Sequence, residues 1–257
     1  MKIGVQTFTI RKAQKKNIEK AYLPLINLGI LDYEVARIKF NKKNALILKS
    51  LIEKYNINIE SIQVKPKYVF NHKDEIVEFC KIVNCDKVVI SMLPFKCILG
   101  KENEFYKFIF TLDETYDLYK KDGITLAYHH HNWEYIKLSN NKTRMEELLE
   151  KTNKINFIFD TYWTVKSSFD PIKQIHDFND RLLGIHLRDL TLYQKGLNVL
   201  SKDCEIGRGI IDFKQIIENA NDVGCKYFVI EQKTNTPVKS IKESYQYFIN
   251  NNFLERK

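Results

Sequence analysis

Phe157-Ile158-Phe159-Asp160-Thr161-Tyr162-Trp163 is an apolar run that ends on an acid. Large apolar residues in succession suit a strand buried on both faces, as in a parallel sheet covered by helices. The aspartate could cap a following helix, which is the commonest use of Asp at such a place. A second run, Gly184-Ile185-His186-Leu187-Arg188-Asp189, carries a histidine within a strand pattern. Arg188 falls on the same face as His186 by the period of two. A third, Phe228-Val229-Ile230-Glu231-Gln232-Lys233, puts an acid directly after three apolar residues. One such charge would be unremarkable. Asp, His and Glu closing three consecutive strands is a constellation that divalent cations bind well.

The same alternation extends outward over the rest of the chain. Short strand patterns fall at 3–7, 33–36, 58–64, 87–92, 124–129, 156–160, 183–187 and 227–231. Between them lie amphipathic stretches, at 17–28, 43–55, 73–83, 104–120, 142–151, 212–223 and 237–250, with apolar residues at three- and four-residue spacing. Strands alternating with helices imply parallel pairing through right-handed crossovers. An open doubly wound sheet also alternates in this way. Its glycine-rich phosphate turn is missing, however, because Gln6-Thr7-Phe8-Thr9-Ile10-Arg11 follows the first strand pattern. The polar residues decide: Gln6, Glu34, Gln63, His129, Asp160, His186 and Glu231 stand at strand ends. In a closed barrel those ends converge on one mouth. The expected fold is α/β, a (β/α)8 TIM barrel, with residues 1–257 as one domain; the chain's 257 residues match the roughly 250 such a barrel needs.

Composition narrows the functional classes. With 44% hydrophobic and 28% charged residues the chain is ordinary for a globular protein, and no apolar run approaches the ~18–20 residues of a membrane span. Residues 1–8 read as a strand rather than a cleavable signal, so the cytoplasm is the default address and no membrane partner is expected. Five scattered cysteines (80, 85, 97, 204, 225) without CxxC spacing point to reduced thiols. The net charge of +9 invites a nucleic-acid reading, but the lysines are dispersed without a long basic run. A solvated basic surface explains them better, with attraction of an anionic substrate as the weaker functional reading.

Half of the six histidines lie in Tyr128-His129-His130-His131-Asn132-Trp133-Glu134-Tyr135. A strand sends neighbours to opposite faces, so His129 and His131 can share the inner face while His130 points outward. A polar loop after a strand accounts for one histidine comfortably and for three poorly.

These residues also carry a resemblance. The ordered set resembles the xylose-isomerase-like TIM barrel superfamily, in its sugar phosphate isomerase/epimerase branch. The likeness runs through Gln6-Thr7-Phe8-Thr9-Ile10-Arg11, Glu34, the Tyr128–Tyr135 segment and Asp160 to Trp163. It continues through His186-Leu187-Arg188-Asp189, Gly207-Arg208-Gly209-Ile210-Ile211-Asp212 and Glu231-Gln232. The resemblance implies a divalent cation (Mn2+, Mg2+ or Co2+, with Zn2+ also accommodated) held by Asp160, His186, Glu231 and a fourth ligand. Many relatives have a glutamate at the fourth place. Here His129 stands there, with Glu134 the nearest acid; His129 is the favoured ligand and Glu134 then touches substrate. Arg208 replaces an acid common in the branch, which favours an anionic substrate or a different hydrogen-bond pattern.

The implied activity is isomerisation or epimerisation of a sugar or sugar-like polyol, by proton transfer through a metal-stabilised enediolate. Glu231 is the better-supported base, with Glu134, His129 or His131 as its counterpart. Gln6, Glu34, Gln63 and Arg188 are candidates to bind hydroxyls, and Trp163 and Phe8 to wall one sugar face. An inosose-type dehydratase would use much the same site. An abasic-site DNA endonuclease would need a three-metal cluster, but Trp163 stands where an additional histidine ligand belongs. A non-catalytic sugar-binding barrel is the third alternative. Relatives of this branch are commonly dimers or tetramers, which leaves a homo-oligomer open.

Overall fold

Eight parallel strands close on themselves in the computed structural model, which describes residues 2–254. They are β1 (Ile3–Gln6), β2 (Asp32–Ala36), β3 (Asn58–Val64), β4 (Lys87–Ile90), β5 (Thr125–His129), β6 (Asn156–Asp160), β7 (Leu182–Leu187) and β10 (Tyr227–Ile230). Each pairs with its neighbours in chain order, and β1 closes the ring by pairing Gly4 with Val229 and Gln6 with Glu34. The chain therefore folds as a TIM barrel. Met1, part of the expected first strand, and residues 255–257 lie outside the described residues.

Residues alternate strictly between two layers. Val89, Ala127, Ile158, Tyr227 and Val229 pack together inside the barrel. Their neighbours Val88, Leu126, Phe157, Phe159 and Phe228 belong to the larger core between strands and helices. At about 25 cal/mol per Å2 of apolar surface removed from water, that outer core dominates the stability of the fold. The helices begin where local chemistry caps them. Asn17, Asn41 and Asp212 accept backbone N–H bonds at helix starts, and Thr143 with Glu146 forms a reciprocal capping box.

Several elements go beyond the expected set, among them short helices over Arg11–Gln14, Pro66–Asn71, Phe95–Ile98 and Thr161–Lys166. Asp170 caps a helix over Pro171–Phe178, with proline at its first position. After β7 the chain runs directly into a hairpin, β8 (Asp189–Lys195) and β9 (Asn198–Cys204), paired antiparallel outside the barrel. Gly196, at φ 61°, supplies the left-handed first position of its two-residue turn. Among the described residues, no helix is long and apolar enough to cross a membrane.

Candidate metal centre

His129 ends β5, Asp160 ends β6, His186 lies one residue before the end of β7, and Glu231 follows β10 directly. The barrel brings one ligand atom from each to within 4.8 Å of the others, and all four residues are buried. His129 Nε2 stands 3.4 Å from Asp160 Oδ2, and His186 Nδ1 stands 2.9 Å from Glu231 Oε2. Yet neither imidazole nitrogen finds an aligned hydrogen-bond partner. Each nitrogen thus stands within ion-pairing distance of a carboxylate but without the alignment of a hydrogen bond, an arrangement that a cation between them would complete. Nitrogen and carboxylate oxygen in this mixture suit a borderline divalent cation.

The groups behind the cluster orient it. His186 Nε2 donates to Glu34 Oε1 at 2.8 Å, leaving Nδ1 toward the cluster. Glu34 is fully buried inside the barrel, where it also accepts from Ser61 Oγ at 2.7 Å and Tyr227 Oη at 2.9 Å. His129 Nδ1 donates to the Ser91 carbonyl at 3.3 Å, which leaves Nε2 free. Partners of this kind fix the tautomer and ring orientation of ligating histidines.

Electrostatics follow from burial and pairing. Burial alone would disfavour a charged His186, but Glu34 and Glu231 hold its pKa up at about 10. Burial likewise pushes Asp160 and Glu231 upward. Arg188 is the chief counterweight and, with the histidines, keeps both carboxylates below their ordinary range. Arg188 Nη1 lies 3.0 Å from Asp160 Oδ2 and 3.5 Å from Glu231 Oε1. Its other edge grips Asp203 of β9, with Nη2 at 3.0 and 3.1 Å from the two carboxylate oxygens.

His130 does point outward, into the helix layer, beside Phe159 and Phe178. Its Nε2 accepts the Asp160 backbone N–H at 3.0 Å, and burial lowers its pKa to about 3, so the ring stays neutral. Its part is to hold the Asp160 backbone from behind.

Over the cluster opens a cavity of about 320 Å3, lined among others by Phe8, Gln63, His131, Trp163 and Lys166. Gln63 Nε2, His131 Nδ1 and Trp163 Nε1 are buried there without partners. Gln6 sits behind Gln63 and donates to its Oε1 at 3.0 Å.

Five of the expected substrate contacts need correction. Gln6 is buried, its amide is engaged by Gln63 and the Phe8 backbone, and it does not line the cavity. Glu34 does not reach the mouth, because it lies a layer deeper, beneath His186. Glu134 turns into the helix layer, where it accepts from Tyr128 Oη and from the His131 backbone N–H at 2.8 Å. It neither joins the ligand cluster nor lines the cavity. Arg188 lines the cavity, but its donors are committed to Asp160 and Asp203. Arg208 is exposed at the surface and pairs with Glu243 at 2.9 Å.

Sequence reasoning missed Asp203, Ser91, Arg37, Lys166 and Lys233, which also line the mouth. It also missed the work of Asp189, which accepts the backbone N–H groups of Leu190, Gly207, Gly209 and Ile211. A Cβ on Gly209 would run into that carboxylate, which explains the glycine in this loop. Gly196 between two short runs holding Leu, Thr, Tyr and Val was the available signal for the hairpin.

The chain belongs to the xylose isomerase-like TIM barrel family, whose model matches residues 32–251. It is 25% identical over 150 residues to an inosose dehydratase from Lacticaseibacillus casei, covering 54% of this chain and 50% of that protein. The chain thus spans about half the length of the curated relatives it matches. In three dimensions it is similar to a sugar phosphate isomerase/epimerase from Parabacteroides distasonis, with a TM-score of 0.81 at 17% identity over 99% of this chain and 95% of that one. It is also similar to a xylose isomerase-like barrel from Mycobacterium smegmatis solved with magnesium, with a TM-score of 0.71 at 12% identity over 97% and 99% of the two chains. At these identities the structural likenesses establish the fold alone.

Proposed function

We propose that this protein is a divalent-metal-dependent isomerase or epimerase acting on a sugar or sugar-like polyol, with His129, Asp160, His186 and Glu231 as the ligands. The observation that carries the reading is the convergence of His129 Nε2, His186 Nδ1 and the Asp160 and Glu231 carboxylates within 4.8 Å of one another, with neither nitrogen in an aligned hydrogen bond. A cation there (Mn2+, Mg2+, Co2+ or Zn2+) would supply Lewis-acid polarisation of a substrate carbonyl.

The chain's own groups supply the rest. Glu231, ionised beside Arg188 and His186, is the base for the proton on carbon next to the carbonyl. His131 lines the mouth, and burial together with His129 holds its pKa well below the ordinary value. A neutral imidazole with a free Nδ1, lining the same cavity, is its counterpart to hold or return a proton on the substrate's oxygen or carbon. Trp163 Nε1 and Gln63 Nε2 each have a hydrogen bond to offer a hydroxyl, and the Trp163 and Phe8 rings wall the cavity. Arg188 neutralises two carboxylates and fixes their spacing without taking part in proton transfer.

A dehydratase on the same site is the second reading, favoured by the inosose dehydratases among the relatives. The test incubates chelator-stripped protein with a panel of ketoses and inososes in D2O, with and without added Mn2+, Mg2+ or Co2+. Metal-dependent deuterium incorporation beside the carbonyl is expected, with retention of the hydroxyls for an epimerase and loss of one for a dehydratase. Undiminished turnover after complete chelation would overturn the proposal.

A further inference from the structure

Beside the mouth lies a second cavity of about 450 Å3, and Arg37, Gln63 and Ser91 line both. Its floor is apolar, with Phe40, Val64 and Tyr68, and its rim is cationic, with Arg37, Lys39 and Lys65. Its one acid, Glu75, is already engaged, accepting from Tyr68 Oη and lying 2.9 Å from His72 Nδ1. Among the described residues the arginine ion pairs belong to Arg188 and Arg208, so Arg37 faces no carboxylate within pairing distance.

Arg37 is also held in a conformation that arginine rarely takes, with φ at 62°. Such a backbone persists only where its surroundings over-determine it. They do so here. Thr7 Oγ1 donates to the Ala36 carbonyl at 3.1 Å and accepts the Ala36 N–H at 2.8 Å, and the buried Gln14 Nε2 donates to the same carbonyl at 2.5 Å. The residue before Arg37 is thus clamped from both sides, and Arg37, whose side chain is exposed to solvent, lines both cavities where they meet.

Phe8, on the wall of the mouth, carries two cations. The Arg11 guanidinium carbon is 3.9 Å from the ring centroid and that of Arg37 is 5.3 Å away. Burial and then the neighbouring Arg37 lower the Arg11 pKa. Glu231 offsets part of that repulsion at Arg11, and an anion seated beside Arg37 would offset the rest.

We infer that the Arg37 corner seats an oxyanion of the substrate, a phosphate or a carboxylate remote from the reacting carbon. The inference rests on the carbohydrate reading of the mouth and adds a substrate class to it. A bidentate guanidinium matches either oxyanion, and the apolar floor suits the C–H face of the intervening carbons. Lys39 and Lys65 raise the local positive potential at the cavity rim.

The experiment measures binding of glycerol 3-phosphate, D-glycerate and glycerol to the metal-loaded protein and to Arg37→Asn, by calorimetry at low salt. Asparagine tolerates a left-handed backbone, so the variant keeps the turn, and its Tm is expected to equal or exceed that of the parent. The parent should bind at least one anion at least about tenfold more tightly than glycerol, with the preferred anion identifying phosphate or carboxylate. Arg37→Asn should weaken that anion about 10- to 100-fold, as expected for loss of a charged hydrogen-bond donor, and leave Mn2+ affinity unchanged. No anion preference in the parent, or equal anion binding in the variant, overturns the inference and leaves the metal proposal standing. Anion binding that depends on Arg37 in a protein without metal affinity would do the reverse.

Discussion

His186 Nε2 lies 2.8 Å from Glu34 Oε1, joining the strand that carries a proposed metal ligand to the strand across the barrel. Glu34 is fully buried beneath the mouth, satisfied by His186, Ser61 and Tyr227 together. It sets which nitrogen of His186 faces the cluster. We expect Glu34→Gln to weaken Mn2+ binding about 10- to 100-fold, the usual effect of losing such a partner, with the fold retained. Calorimetric titration checks this, and unchanged affinity would remove Glu34 from the account.

His130 makes a pH prediction. Its pKa is lowered to about 3 in the folded chain, against about 6.5 when unfolded. Between those values the unfolded chain binds the extra proton, so stability rises with pH across that window. The contribution is fully present above about 6.5 and is lost as pH falls toward 3. Urea unfolding midpoints should therefore drop on acidification, and His130→Gln should show a shallower drop. A variant with the parent's slope would contradict the assignment.

Asp189 accepts four backbone N–H groups, that of Leu190 beside it in β8 and three from the 205–211 loop. Replacing it with alanine strands those donors at a cost of about 1–3 kcal/mol for each one left without water. Asp189→Ala is expected to lower the unfolding free energy by about 3 kcal/mol or more and to loosen β8 and β9 in hydrogen exchange. A neutral effect would mean that the loop holds itself.

Trp163 Nε1 is buried at the mouth without a partner. Trp163→Phe keeps an aromatic wall while removing the indole N–H and part of the ring. KM should rise about tenfold, the scale of one hydrogen bond to a hydroxyl, with Tm nearly unchanged. Steady-state kinetics on the substrate found in the deuterium-exchange screen would show it, and an unaltered KM would exclude the contact.

The barrel was legible because its strands are buried on both faces. Runs such as Phe157-Ile158-Phe159 advertise that burial, and they end on the polar residues that share the mouth. Most strand and helix limits fall within about two residues of the observed ones, the ordinary uncertainty of element ends. Depth was not legible. Glu34 and Gln6 face each other in register, but the stagger of a closed barrel puts Glu34 beneath the site, and no one-dimensional pattern encodes stagger. Glu134 was misplaced because Tyr128, on the outward face of β5, draws its carboxylate behind the strand. The hairpin escaped because most of β8 and β9 is exposed and leaves no buried stripe to read.

Calorimetric titration of chelator-stripped protein, made without a polyhistidine tag, with Mn2+ tests the central claim most directly. The account predicts one site per chain, abolished in His186→Ala and in Asp160→Asn while both variants remain folded by circular dichroism. Absence of Mn2+ binding to the parent, or binding that survives both substitutions, would contradict it.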